Sequence, residues 1–254
     1  MKEFESPNRQ LRKAIRKSHQ FHTMMTAFFK SDYRSTVVER DEKTGCDLHK
    51  VKIVKFPSDD MTDVVYDAID AYRSTLDHTA YACAVLSGVS GKPLEAIAYP
   101  ISRDPKKIES SIGSGCQGVH PDIVDLFRSH KAYPGGNDAL AKLNLIRRQG
   151  HHRIILPVGA IASVEPGLAS MSRKRPRYIP GPIWDRKKHE IVFRSVDPHG
   201  GEFGYDAKVT FDIAFGEVDA VAGELVWPFL IKTAEAVDRV VKETEAKAQS
   251  IWGE

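Results

Sequence analysis

A chain of 254 residues with 41% hydrophobic and 28% charged residues is long enough and apolar enough to bury a sizeable core. Its formal net charge of +3 does not by itself indicate a nucleic-acid-binding protein, because the distribution of charge matters more than the total. No apolar run approaches the roughly 20 residues that span a bilayer, and the charged amino-terminal stretch lacks the apolar segment of a secretory signal. We therefore expect one cytoplasmic domain over residues 1–254 and no membrane contact.

The three cysteines, Cys46, Cys83 and Cys116, are widely spaced and odd in number. This usage is typical of reduced thiols in a reducing compartment, not of a disulfide framework. The chain contains no C-x-x-C pair, which argues against a thiolate zinc site. We predict neither a metal nor a cofactor from these residues.

The first part of the chain has a helical pattern followed by two strand patterns. Residues Gln10–Lys30 place apolar side chains along one helical face and cations around it. The cations predict a solvated helix face, or alternatively a surface for phosphates. Strands are predicted over Tyr33–Arg40 and Asp47–Phe56, and the density of lysines in the second predicts an exposed or edge strand. The cations of the helix are Arg9, Arg12, Lys13, Arg16 and Lys17.

The strongest helical pattern runs from Thr62 to Leu86. Ser58 is suited to cap its start, and Ser87-Gly88 is suited to end it. One face carries an apolar stripe that we expect to be buried, so this helix is predicted to be the centre of a helical bundle. The stripe consists of Val65, Ala68, Ile69, Tyr72, Leu76, Thr79, Ala80 and Cys83.

A glycine-rich stretch, Gly113–Gly118, has the G-x-G-x-x-G spacing of a dinucleotide-binding loop. That fingerprint requires a strand before the glycines and a helix after them. Here a charged segment precedes the glycines and Val119-His120-Pro121 follows them. We interpret the stretch as a flexible loop without a cofactor.

The remaining patterns are helices in the middle and at the end of the chain, with strands between them. Helices are predicted over Pro121–His130, from Asn137 or Asp138 to Gln149, and over Leu225–Trp252. The last of these has an apolar stripe, including Phe229 and Val237, that we expect to be buried. Strands are predicted over Arg153–Val164, Glu190–Val196 and Ala207–Phe215. We expect an α+β fold in which a bundle of about four to six helices has an antiparallel β-sheet packed on it or beside it. The helical core is predicted at residues 58–150 and 225–252, and the β portion at 33–56 and 153–216.

Cations interleaved with aromatic residues fill the irregular stretch from Pro166 to Lys188. This composition suits phosphates and stacked bases, and it equally suits an ordinary exposed loop between strands. The candidate binding residues of this stretch are Arg173, Lys174, Arg175 and Arg177.

The polar flank of the long helix is the main candidate site. Arg73 and Asp77 are four residues apart and can pair across one turn, and Tyr81 continues their line. His78 lies about 140° round the helix from Arg73, at roughly 100° per residue. A later polar cluster is expected to meet this flank if the two helices pack against each other. Its members are Arg147, Arg148, His151, His152 and Arg153.

Three motifs, RSTLDHTAY, YPISRDPKK and HHRIILPVG, together resemble a widespread family of uncharacterised bacterial proteins. That family has an Arg-Ser-x-Leu-Asp-His-x-x-Tyr helix, a Phe-Pro-Ile link, and an Asp-Lys-His-Arg segment that enters a strand. The match covers Tyr72 to Gly159. Tyr99 stands where the family has Phe, Gly150 where it has an acidic residue, and His151 where it has Lys. A charge pair made by that acidic residue is therefore not expected here.

The spacing Arg73-x4-His78 also resembles the R-x4-6-H motif of HEPN-domain ribonucleases, which are helical bundles that cleave RNA without a metal, often at a dimer interface. The resemblance implies a metal-independent endoribonuclease in which His78 is the general base or acid and Arg73 stabilises charge on the phosphate. RNA would be the substrate, and a homodimer the assembly. The implied catalytic residues are Arg73, Asp77, His78 and Tyr81, and the implied further contacts are His152 and Arg153.

Two other interpretations stay open. In the first, Arg73, Asp77 and His78 form a structural polar network, because buried polar groups are normally paired, and the chain binds nucleic acid or protein without catalysis. In the second, Asp77 and His78 act with His151 and His152 in metal-dependent hydrolysis. Adjacent residues such as Asp77 and His78 point apart on a helix, which disfavours the second interpretation.

Overall fold

The computed structural model describes residues 1–43, 45, 47–149, 155–166, 183–185, 188–196, 205–216 and 221–253. Contacts within the chain divide it into two compact units. The first unit comprises Met1–Thr23, Asp59–Ile154 and Phe215–Glu254, and the second comprises Met24–Ser58 and Ile155–Ala214. The first is mainly helical and the second contains the strands, so the predicted α+β class is confirmed. A single-domain organisation stays a prediction.

The described residues form seven α-helices and six β-strands. The helices are α1 (Glu5–Lys30), α2 (Asp59–Leu86), α3 (Lys92–Glu95), α4 (Ile108–Gly115), α5 (Pro121–Ser129), α6 (Asp138–Gln149) and α7 (Val226–Trp252). The strands are β1 (Arg34–Arg40), β2 (Asp47–Ile53), β3 (Ile155–Pro166), β4 (Ile183–Asp185), β5 (Glu190–Val196) and β6 (Tyr205–Phe215). Within these described elements, no helix has the length and apolar character needed to cross a membrane.

The helix α2 is the centre of the first unit, as its sequence pattern predicts. All eight residues of its predicted apolar stripe have an exposed fraction of 0%. The helix also buries residues outside that stripe, among them Val64, Ala71 and Arg73, because it contacts α6, α7 and the 3-10 turn Lys2–Phe4. The predicted stripe of α7, which includes Phe229 and Val237, is buried as well.

The helix α1 begins five residues earlier than predicted, at Glu5 instead of Gln10. Pro7 lies in its first turn, where a missing N–H costs no helical hydrogen bond. Side-chain contacts join α1 to α2, among them Ser18 Oγ at 2.9 Å from the hydroxyl of Tyr72 and Lys17 Nζ at 2.8 Å from Asp67 Oδ2. The buried face of α1 therefore packs in the helical unit while its opposite face meets solvent.

The described strands form two sheets, whereas the sequence predicts one. β1, β2, β5 and β4 form an antiparallel sheet in that order, and β3 pairs with β6 separately. The sequence does not predict β4, because three residues are too few to show a strand period.

The lysine-rich strand β2 lies inside its sheet, so its predicted edge position is wrong. Lys50 is only 7% exposed and has two acidic partners: its Nζ lies 2.7 Å from Glu39 Oε2 and 3.1 Å from Glu190 Oε1. A buried ammonium group is tolerated when carboxylates from neighbouring strands pair with it. The outer strands of the described part of this sheet are β1 and β4.

The glycine-rich stretch is partly helical, so its interpretation as a loop is wrong for its first half. Gly113 and Gly115 belong to the last turn of α4, and Gly118 follows with a φ of 79°. Gly115 permits a close approach of two backbone segments, because its carbonyl accepts a hydrogen bond from the N–H of Ala98 at 3.0 Å. A Cβ atom at Gly115 would lie 2.6 Å from the carbonyl oxygen of Ala98.

This close approach predicts different effects of alanine at the two glycines of α4. Gly115→Ala should lower the free energy of unfolding by about 1–3 kcal/mol, because backbone must move to accommodate the methyl group. Gly113→Ala is the matched control: nothing lies within 4 Å of its added Cβ, and alanine favours the helix by up to about 1 kcal/mol. Urea unfolding at 25 °C measures both values. Equal stability of the two variants would contradict the packing of α4 against Ala98.

Candidate functional site

The guanidinium group of Arg73 points to the backbone of Tyr99, in the extended link that follows α3. Arg73 is 8% exposed, and its two Nη atoms each donate to the carbonyl oxygen of Tyr99 at 3.2 Å. Nη2 also lies 2.8 Å from Asp77 Oδ1. The same carboxylate oxygen accepts the backbone N–H of Tyr99 at 3.1 Å. Arg73 thus binds the carbonyl oxygen and Asp77 the N–H of the same residue of the link, Tyr99.

The predicted meeting of two polar clusters takes place at Arg147. Its Nη1 lies 3.8 Å from Asp77 Oδ2, and its Nε lies 3.2 Å from Asp70 Oδ1, so α6 is tied to α2 through charges. Burial raises the pKa of Asp77, while Arg73, the N–H of Tyr99 and Arg147 act in the opposite direction. The carboxylate of Asp77 is therefore a half-buried acceptor between two guanidinium groups.

The ring of Tyr99 extends this network to two more helices. Its hydroxyl lies 2.7 Å from His130 Nδ1, and His130 Nε2 lies 3.0 Å from Glu243 Oε2. Burial lowers the pKa of His130 although Glu243 raises it, so the ring is assigned as neutral. In that state the tyrosine hydroxyl donates to Nδ1 and Nε2–H donates to Glu243. Sequence reasoning missed His130 and Glu243; the hydroxyl of Tyr99, which requires a hydrogen-bond partner when the ring is buried, was the signal that could have indicated them.

His78 lies in a different environment, with α1 as its neighbour. His78 Nδ1 is 2.8 Å from Ser6 Oγ, and the imidazole is half-buried in a surface cleft of about 460 Å³. The ring of Tyr81 borders the same cleft and is 47% exposed. We call this feature the His78 cleft. Its lining residues are Glu3, Ser6, Asp77, His78, Tyr81, Ala82, Val85 and Ile97.

The four predicted catalytic residues therefore separate into two groups. Arg73 and Asp77 bind the link at Tyr99, while His78 and Tyr81 border the cleft, and only Asp77 contributes to both places. This separation follows from the angle of about 140° between Arg73 and His78 on a helix. The remaining predicted binding residues lie outside the described residues: His152, Arg153, Arg173, Lys174, Arg175 and Arg177.

The exposed face of α1 carries a second candidate site, which we call the basic stripe. Its members follow one another at helical positions i, i+3, i+4 and i+7 and so lie on one side of the helix. All are exposed, and none has an acidic partner among the residues that the structure describes. By contrast, the neighbouring Lys17 pairs with Asp67. The basic stripe consists of Arg9, Arg12, Lys13 and Arg16.

Among the described residues, no group of three or more His, Cys, Asp or Glu side chains is placed to hold a metal ion. His19 and His22, which are three residues apart on α1, lie beside the ring of Trp227, and the centroids of His22 and Trp227 are 4.4 Å apart. His151 and His152, which the metal-dependent interpretation requires, lie outside the described residues.

Comparisons of the chain with protein-family models, with curated proteins and with solved structures give no match. Function is therefore inferred from the site itself.

The contacts of Arg73 predict that this residue stabilises the helical unit. Arg73→Ala should lower the free energy of unfolding by about 3–5 kcal/mol, because Asp77 and the Tyr99 carbonyl would lose a buried charged partner. Tyr99→Phe should cost about 1 kcal/mol, the value of one hydrogen bond. Urea unfolding measures both, with Arg103→Ala, at an exposed position, as the control. A stability of Arg73→Ala equal to that of Arg103→Ala would contradict the network.

Proposed function

We propose that this protein binds nucleic acid through the basic stripe of α1, without cleaving it, and that Arg73 and Asp77 have a structural role. One observation carries the proposal: four exposed cations occupy one helical face and have no acidic partner among the described residues. Cations that only maintain solubility are commonly interspersed with acidic residues. A row of positive charges along one face is the electrostatic feature that attracts a phosphate backbone.

The opposite face of α1 favours nucleic acid over a membrane surface as the partner. A helix that lies on a bilayer buries its apolar face among the lipids. In α1 that face is used inside the protein, where Leu11, Ala14 and Ser18 are buried. Only the cationic face is available, and it spans about 10 Å from Arg9 to Arg16 at roughly 1.5 Å per residue. Phosphates of a nucleic-acid strand are therefore the partner groups that we propose.

Cleavage by a HEPN-like mechanism has less support from this geometry. The guanidinium group of Arg73 is buried against Tyr99, whereas His78 borders the cleft. Among the described lining residues, the cleft contains the carboxylates of Glu3 and Asp77 but no lysine or arginine. A general base beside carboxylates lacks the cation that would stabilise charge on a reacting phosphate. Cleavage by Arg73 and His78, and a homodimeric assembly, stay predictions.

Removal of the basic stripe should reduce the salt dependence of RNA binding. A variant with glutamine at Arg9, Arg12, Lys13 and Arg16 should lower the slope of log affinity against log salt by about 3, at roughly 0.7 per cation for single strands. Fluorescence anisotropy with a labelled single-stranded RNA between 50 and 200 mM salt measures the slope.

The control for this variant removes the same number of charges elsewhere. Glutamine replaces four cations that already have acidic partners: Arg128, Lys142, Lys242 and Lys247. This control variant should keep the slope of the unaltered protein. The same loss in both variants would mean that only net charge matters and would contradict a specific surface on α1.

The absence of cleavage is tested with the same labelled RNA in the presence of EDTA. Under our proposal the RNA stays intact with the unaltered protein, with His78→Ala and with Arg73→Ala. Cleavage that is present with the unaltered protein and lost in His78→Ala would overturn the non-catalytic part of the proposal. It would instead favour the metal-independent ribonuclease, with His78 as general base.

A further inference from the structure

We propose that the His78 cleft receives one unstacked base of a single strand whose phosphates lie on the basic stripe, and that guanine is the preferred base. The inference rests on the proposed function, and it names the ligand class: a single strand with an unstacked guanine. It depends on three observations: the position of the cleft beside the stripe, the exposed aromatic ring at its border, and an acidic side chain in its lining.

The cleft and the basic stripe share the helix α1. Ser6 lines the cleft, and Arg9 and Lys13 follow it at i+3 and i+7, on the same side of the helix. The rise from Ser6 to Arg9 is about 4.5 Å, at roughly 1.5 Å per residue. A strand that contacts Arg9 through a phosphate therefore has its neighbouring base within reach of the cleft.

The walls of the cleft suit the flat, apolar faces of a base. Tyr81 is 47% exposed and Val85, one turn later on α2, is 42% exposed, while Ala82 and Ile97 complete the apolar surface. A volume of about 460 Å³ lies within the range of roughly 300–1,000 Å³ found for small-molecule sites. Aromatic side chains at such positions stack bases of single strands, and every base has a face that can stack.

Glu3 supplies a reason for a preference among the bases. Its side chain is half-buried in the cleft lining and has no cationic partner among the described side chains. Guanine carries two neighbouring donors, N1–H and N2–H, which match the two oxygens of a carboxylate. Adenine and cytosine present an acceptor beside a donor, and uracil presents a donor between two acceptors. The Watson–Crick edge is free for such contacts only in a single strand.

Ser6 and His78 add a second recognition group. When Ser6 Oγ donates to His78 Nδ1, the ring proton lies on Nε2, which is then a donor. A donor in the cleft suits the carbonyl oxygen of guanine. The carboxylate of Glu3, which has no cationic partner among the described side chains, also repels phosphate, so the backbone is directed to the stripe and the base to the cleft.

The test uses four unstructured RNA nonamers of uridine that differ only in the central base. The nonamer with a central guanine should bind more tightly than those with adenine, cytosine or uracil. Tyr81→Ala should weaken its binding by about 5- to 150-fold, the range expected for loss of one stacked base. Glu3→Gln should abolish the preference for guanine while leaving the affinity for the all-uridine nonamer within about twofold. Anisotropy at low salt measures all affinities, and thermal melting checks that each variant is folded.

Ile231→Ala is the matched control, because Ile231 is an exposed apolar side chain of α7 outside the cleft. It should leave every affinity unchanged. The variant without the basic stripe should bind all four nonamers more weakly but keep the ratio between guanine and uracil.

The possible failures are distinguishable. If the stripe variant loses affinity but all four nonamers bind equally and Tyr81→Ala binds like the unaltered protein, the cleft inference is overturned and the proposed function stands. The cleft inference is also overturned if Tyr81→Ala weakens binding of the guanine nonamer no more than Ile231→Ala does. If the unaltered protein binds none of the nonamers, the proposed function and this inference both fail.

Discussion

The helical unit depends on how Arg73 and Asp77 hold the backbone of Tyr99. One guanidinium group and one carboxylate satisfy the carbonyl and the N–H of a residue that lies 26 positions from Arg73 in the chain. Because these charges are mostly withdrawn from water, each is stable there only while its partners are in place. Tyr99 then passes the connection through its hydroxyl to His130, and from there to Glu243. One residue of an irregular link thereby joins α2, α5 and α7, which favours a single arrangement of these helices.

The same network explains why the proposed phosphate-binding surface lies on α1 and not on α2. In α2 the buried stripe and Arg73 are used for packing. Only a narrow part of this helix, at His78, Tyr81 and Val85, therefore reaches the surface at the cleft. The helix α1 buries one face and leaves the other to solvent. A binding surface on α1 can therefore change without disturbing the packing of α2, apart from the contact between Ser6 and His78.

Within the described part of the chain, some cations have an acidic partner and others have none. The cations with a partner contribute to packing, and those without one are available for the proposed binding. Lys50 lies inside a sheet because Glu39 and Glu190 pair with it, and the lysines in turn lower the pKa of Glu39 to about 2. Arg147 lies between Asp70 and Asp77 in the same manner. The cations of the basic stripe have no such partner within the described part of the chain. Charge without a partner inside the molecule is available for a partner outside it.

The sequence by itself determined the helices other than α3 and α4, most strands, the buried stripes of α2 and α7, and the separation of Arg73 from His78. These features depend on the local period of side chains, 3.6 residues for a helix and two for a strand, which neighbouring residues carry. Only the tertiary structure decided which groups pair: the Tyr99 backbone with Arg73, His130 with Glu243, and Lys50 with Glu190. The last two pairs join residues 113 and 140 positions apart, and no local period relates residues at such distances. Whether a charged residue is a structural element or an available binding group therefore depends on packing that brings distant segments together.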